Sequence, residues 1–129
     1  MRDLYNNIGA ELALAPSVKS AAADGIAIDT KGFRSLAFVV NTGAIVSAGD
    51  FGIVVQESDT TTSGDFTDAD ASVVDSNAPA TLAANSSYRL GYRGFKRYVR
   101  VSLTKAGGTS IAAGASAVLG HPIEAPVAD

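Results

Sequence analysis

Apolar side chains recur at every second position in several parts of this chain, and that spacing limits what the chain can fold into. Leu36, Phe38 and Val40 are each separated by one residue, and a second such run lies at 99–103. Successive side chains of a β-strand point to opposite faces, whereas a helix needs apolar residues three and four positions apart. Only 68–72 is compatible with a single helical turn. The sequence therefore predicts an all-β protein.

Eight segments carry the strand pattern, separated by turns rich in glycine, serine, asparagine and aspartate. The predicted strands are 10–15, 25–29, 35–41, 51–56, 71–75, 86–92, 97–104 and 110–119. About eight short strands in succession are typical of an antiparallel β-sandwich or barrel. The 129 residues suit one domain. Within it we expect 1–8 and 121–129 to be extended arms, because they have few apolar residues and no periodicity.

The strand predicted at 35–41 is apolar on both of its faces. Leu36, Phe38 and Val40 point one way, and Ala37 and Val39 point the other way. A strand of this kind is expected either in the centre of the fold, covered on both sides, or with one face covered by a partner subunit.

Composition excludes several classes of function. The chain has no cysteine, which excludes disulfides, thiol catalysis and cysteine-ligated zinc. No window approaches about 20 consecutive apolar residues, and residues 1–16 lack a run of signal-peptide length, so we expect a soluble protein without membrane contact. A net charge of −3 gives no general attraction for nucleic acid.

Basic residues are concentrated in one segment, since six of the ten lysines and arginines lie between 89 and 105. Val99, Val101 and Leu103 alternate there with Tyr98, Arg100, Ser102 and Thr104, which predicts a strand with one buried and one wetter face. Residues 91–96 are predicted to form the preceding turn, with Gly94 free to take positive φ. The RNA-recognition pattern fits only at 93–95, so we interpret the segment as a hairpin or protein interface rather than a nucleic-acid surface. Its partner is expected to be acidic.

No pattern supports catalysis or a bound cofactor. The acidic loop 57–70 could offer oxygens to calcium, but its spacing departs from the EF-hand order, so no metal is predicted. His121 is the only histidine and has no neighbouring nucleophile or carboxylate in the sequence. Nucleophile-elbow, HExxH and phosphate-loop motifs are missing, and we expect no enzymatic activity.

Several segments resemble a family of small structural proteins of tailed bacteriophages and prophages. They are SLAFVVNTGAI (35–45), VVQESD (54–59), LAANSSYRLGYRGFKRYVRVSLTKAGGTS (82–110) and SAVLGHP (116–122), with an opening similar to MRDLYNNI and a closing segment similar to GHPIEAPVA. The resemblance covers nearly the whole chain. These segments are not catalytic motifs and are typical of the family rather than of one task.

The resemblance implies a virion protein, and a head decoration (cement) protein on the capsid exterior is the function expected from it. Its partners would be the major capsid protein and further copies of itself, with a trimer as the expected state. The candidate contact residues are Leu4, Tyr5, Arg93, Lys96 and Arg97. Two alternatives stay open: a head–tail connector or tail component, and a receptor- or glycan-binding module that uses loop 57–70.

Overall fold

A computed structural model describes residues 1–127, and it confirms an all-β sandwich made of two antiparallel sheets. The strands are β1 (Gly9–Lys19), β2 (Ala23–Asp24), β3 (Ile28–Asp29), β4 (Phe33–Val46), β5 (Asp50–Ser58), β6 (Thr67–Asp68), β7 (Val74–Ser76), β8 (Ser87–Tyr92), β9 (Tyr98–Gly107) and β10 (Ser110–Pro122). The first sheet has the order β1-β10-β4-β8-β7. The second has the order β2-β9-β5-β6, and β3 also pairs with β9.

The core lies between the sheets and is built from the residues that the two-residue period selects. Val99, Val101 and Leu103 are completely buried, which confirms the prediction for that strand. From the first sheet, Phe38 and Val40 reach the same core. In β10 the residues opposite them are Ala117 and Ala115, so small side chains make room for the large ones of β4. Alanine is therefore part of the packing scheme in this core.

Gly25 lies between β2 and β3, where the chain is hydrogen bonded to both sheets. The Gly25 amide donates to the Val101 carbonyl at 2.7 Å, and the next amide, of Ile26, donates to the Ala13 carbonyl at 2.7 Å. A Cβ on Gly25 would lie 2.5 Å from both of these carbonyl oxygens. Only glycine fits at this position without displacing the backbone of β1 or β9.

Some boundaries differ from the expectation. Of the predicted strand 25–29, only Ile28–Asp29 forms a strand (β3), and β2 at Ala23–Asp24 precedes the predicted range. The helical turn expected at 68–72 is a 3-10 turn at Ala71–Val73, capped where the Asp70 carboxylate accepts from the Ser72 amide at 2.9 Å. Strand β10 continues to Pro122 opposite Phe33, so the first two residues assigned to the second arm belong to the sheet. Residues 128–129 of that arm lie outside the described residues.

Strand β1 forms one edge of the first sheet, and its outer side is irregular. It carries Pro16 and shifts register twice against β10, between Leu12 and Leu14 and between Leu14 and Ser17. A Cβ on Gly114 of β10 would lie 2.7 Å from the Pro16 side chain. Proline and bulges on an edge strand oppose pairing with the strand of another chain.

Candidate protein-contact surface

The turn between β8 and β9, residues 93–97, is here called the basic turn, and it is anchored by Tyr92. The Tyr92 hydroxyl donates to a Glu57 carboxylate oxygen at 2.7 Å and accepts from the Lys96 amide at 3.1 Å. Burial, followed by the hydrogen bond to Glu57, raises the pKa of Tyr92 to about 12. Gly94 does not adopt positive φ. It is required for space, because a Cβ there would collide with the Tyr92 ring.

The cations of the basic turn are paired within the same chain. Three ion pairs form: Arg93 with Asp75 at 2.7 Å, Lys96 with Asp59 at 2.8 Å, and Arg97 with Asp29 at 2.8 Å. Hydrogen bonding from Arg97 lowers the pKa of Asp29, and hydrogen bonding to Asp59 raises the pKa of Lys96. The positive charge of this segment is therefore largely compensated, and the acidic partner expected for it would have to compete with existing carboxylates.

Phe95 is the most exposed large residue of this turn, and it is not among the contact residues predicted from the sequence. Its side chain is 91% exposed, with the Lys96 ammonium 5.5 Å from the ring centroid. The sequence pattern that could have indicated it is a phenylalanine in a predicted turn, preceded by glycine and followed by two cations. Exposed aromatic side chains of this size are characteristic of contact surfaces between proteins.

Arg100 corrects the expectation of a wetter face on β9. The residue is only 7% exposed, and its guanidinium carbon lies 4.3 Å from the centroid of the Phe66 ring. It donates to the Gln56 side-chain oxygen at 2.8 Å and to the Ser63 hydroxyl at 3.0 Å. Loop 57–70 folds back over the second sheet and covers this arginine, so this part of the face is closed by the chain itself.

The same loop is not arranged to grip an ion. The Thr60 hydroxyl donates to Asp65 at 2.6 Å, and Phe66 is 8% exposed beneath the loop. Within residues 1–127 no three histidine, cysteine or carboxylate groups converge as a metal site would require. A ligand-binding role for Phe66, as in the receptor-module alternative, would require the loop to open.

The two arms meet at one end of the sandwich. Leu4 and Tyr5 are 65% and 69% exposed, and the 3-10 turn Tyr5–Asn7 follows them. Asn6 holds this turn by donating its side-chain amide to Asp3 at 2.7 Å, and these hydrogen bonds lower the pKa of Asp3. The Val127 amide donates to the Asn6 carbonyl at 2.9 Å, which joins the second arm to the first.

A groove of about 980 Å³ lies between the arms, here called the arm groove. Its apolar lining comes from both arms and from the start of β4: Tyr5, Ile8, Phe33, Ile123, Pro126 and Val127. A smaller depression next to it is lined by Phe33, Arg34 and Phe95. Because Phe33 lines both, the basic turn and the arm groove lie at the same end of the molecule, here called the arm end.

The outer face of the first sheet is the second exposed apolar area. Ala37 of β4 is opposite Val118 and Gly91, and Val39 is opposite Ser116 and Arg89. Both are half-buried by their neighbours. Within residues 1–127 no further layer covers this face. The segment 35–41 is expected from its sequence either to be covered on both faces by its own chain or to have one face covered by a partner subunit. The first of these arrangements is not observed.

His121 lies beside Ser35 on the exposed surface. Their Nδ1 and Oγ atoms are 2.8 Å apart. A serine activated for nucleophilic attack also needs a group that orients the base. Among the described residues no carboxylate is hydrogen bonded to this histidine.

No family model matches the chain, and no curated protein is similar to it. Among the described residues, none of the helices is long and apolar enough to cross a membrane.

Proposed function

We propose that this protein is a non-enzymatic structural component of a tailed-bacteriophage virion that decorates the outer capsid lattice as a homo-oligomer. The expected state is a trimer, with the major capsid protein and further copies of the chain as partners. The sequence resemblance described above supports the virion assignment. The structural observation that carries the assembly role is the arm end, where exposed apolar side chains are concentrated.

Five large apolar side chains of the arm end are more than half exposed. They are Met1, Leu4, Tyr5, Phe95 and Ile123. An isolated domain gains nothing from exposing them, whereas a subunit interface buries such residues at its centre. Three cations of the same end, Arg93, Lys96 and Arg97, lie around Phe95 and would form the polar rim of that contact. The candidate contact residues from both the arm and the basic turn thus belong to one surface.

The sandwich itself suits a role as a rigid unit. Its edge strand β1 is interrupted by Pro16 and two bulges, which opposes open-ended addition of strands. Assembly through side chains at a defined surface allows a closed symmetric oligomer instead. A cement protein requires this behaviour, because it must bind a lattice without polymerising by itself.

The test is the number of copies in purified particles, measured by quantitative mass spectrometry against the major capsid protein. A decoration protein should be present in hundreds of copies, whereas a connector ring contains roughly a dozen. A count near a dozen would replace the decoration role with the connector alternative. Absence of the chain from the particle would refute the virion assignment as a whole.

A second experiment addresses the position on the capsid. Decorated particles are treated with a protease, and the release of this chain is compared with that of the capsid shell. A protein on the capsid exterior is accessible and is cleaved first. Protection until the shell is broken would contradict an exterior position.

A further inference from the structure

The apolar ring of Phe95 is not covered by its own chain. The ring is 91% exposed at the tip of the basic turn. The turn below it is fixed by Tyr92, whose hydroxyl bonds both Glu57 and the Lys96 amide. A rigid turn that presents one aromatic side chain loses little conformational entropy on binding, as interface anchors require.

The arm groove has the complementary shape and composition. It is an open apolar depression of about 980 Å³ lined by both arms and Phe33. The Phe95 ring of the same chain does not enter it, because that ring is almost fully exposed. The groove is large enough to admit the tip of a turn as well as a single ring.

The charges at the two places are also complementary. Glu11, Glu124 and Lys31 line the groove, and within residues 1–127 none of them has an ion pair, which leaves the groove net negative. Beside Phe95, the cations of the basic turn are compensated by their aspartates, but Arg34 has no partner among the described residues. In a contact between two copies, a surface with an apolar projection and an unpaired cation would therefore meet an arm groove with an excess of carboxylate.

We propose that Phe95 of one subunit inserts into the arm groove of a second copy of this chain. This inference deepens the proposed function, on which its biological setting rests, by assigning the contact that makes the homo-oligomer. The projection and the groove are different surfaces, so each subunit uses both, one toward each neighbour. They share Phe33 as a boundary, and a head-to-tail contact of this kind gives a ring when the rotation between subunits closes.

The first test uses the absence of cysteine from the chain. Two single-cysteine proteins, Phe95→Cys and Ile123→Cys, are purified separately, mixed, and oxidised under mild conditions. We expect a mixed disulfide dimer, identified by mass spectrometry of the linked peptides. Val18→Cys, at a 70% exposed position on β1, replaces Phe95→Cys in the control mixture. Mixed linkage no more frequent than in this control, or linkage only between two Phe95→Cys chains, would overturn the proposal.

The second test measures association of the full-length chain by analytical ultracentrifugation. Phe95→Ser should raise the dissociation constant at least about 30-fold, the effect of losing an interface anchor. Val18→Ser removes a similarly exposed apolar side chain and should leave association unchanged. A wild-type chain that is monomeric at all concentrations, or a Phe95→Ser variant that associates normally, would overturn the proposal.

Binding to capsid shells separates this inference from the proposed function. Wild-type protein that binds shells while remaining monomeric would retain the decoration role and overturn the Phe95 contact. The same conclusion holds if Phe95→Ser abolishes shell binding but leaves the oligomer intact, because the groove or the ring would then serve the capsid subunit. Loss of oligomer in Phe95→Ser, with the mixed disulfide observed, supports the inference whether or not shells are bound.

Discussion

Replacing Arg100 with alanine should destabilise the domain and release loop 57–70 from the second sheet. The guanidinium lies 4.3 Å from the Phe66 ring centroid and donates to Gln56 and Ser63. It also lies 3.6 Å from a carboxylate oxygen of Asp24. Each of these contacts connects β9 to a segment distant in sequence, so alanine removes them together.

The size of the effect follows from how exposed each contact is. The contact with the ring is desolvated and contributes about 1–2 kcal/mol. Each hydrogen bond adds a net of about 1 kcal/mol, since Gln56 and Ser63 can regain water when the arginine is lost. The Asp24 side chain is 53% exposed, so this long ion pair is screened by solvent and adds less than about 0.5 kcal/mol. We therefore expect Arg100→Ala to lower the free energy of unfolding by about 3–4 kcal/mol.

Urea unfolding monitored by circular dichroism measures this loss of stability. In thermal unfolding of a domain of this size, a loss of about 3–4 kcal/mol lowers the melting temperature by about 10–15 °C. Arg100→Lys keeps the charge but loses the planar fork, and should fall between wild type and alanine. Arg89→Ala, at an exposed arginine without an ion pair in the described residues, is the control and should change stability by less than about 0.5 kcal/mol.

Chymotrypsin reports on the loop directly. It should cleave after Phe66 faster in Arg100→Ala than in wild type, because the loop opens locally. Cleavage after the exposed Phe95 should be equally fast in both proteins and serves as an internal control. If Arg100→Ala were as stable as Arg89→Ala and Phe66 stayed protected, the assignment of Arg100 as the side chain that holds the loop would be wrong.

Three further predictions concern the core and two ionisable groups. Val101→Asp should abolish the folded circular dichroism signal because it buries an unpaired charge, whereas Val18→Asp at a 70% exposed position should fold. The pKa of Tyr92 is raised from 10.0 to about 12, so the stability contributed by its protonated hydroxyl is complete below pH 10 and is lost as pH rises to about 12. A Tyr92→Phe variant that loses stability equally over this window would contradict the prediction. The pKa of Asp29 is lowered by hydrogen bonding from Arg97, so its stabilisation is complete above pH 3.8 and is lost as pH falls below that value. Asp29→Asn should flatten this acid limb in urea titrations at successive pH values.

The sequence predicts the parts of this fold that depend on neighbouring residues. The burial of Val99, Val101 and Leu103 follows from a period of two, which is a local property of a strand. The burial of Arg100 in the same strand could not be predicted this way. It depends on where loop 57–70 returns, and the Arg100–Ser63 bond spans 37 residues.

The candidate contact surface also combines features that the local sequence predicts with features that depend on residues distant in the sequence. The concentration of Arg93, Lys96 and Arg97 is visible in the sequence, but their compensation is not. Arg97 finds Asp29 at a separation of 68 residues, because β3 pairs with β9 in the second sheet. No local sequence pattern near either residue predicts this ion pair. The meeting of the arms at Phe33 likewise depends on the topology of β1, β4 and β10.

The hydrogen bond from Val127 to Asn6 brings the two extremities of the described chain together, almost closing it into a loop. The β9–β10 turn at Gly108 lies at the opposite end of the sandwich, since Ser110 begins β10 and Pro122 ends it. A circular permutant that joins the two arms through a short linker and opens at Gly108 would retain all ten strands and their registers. Foreign peptides for display are best inserted at this turn, where they leave the arms unobstructed.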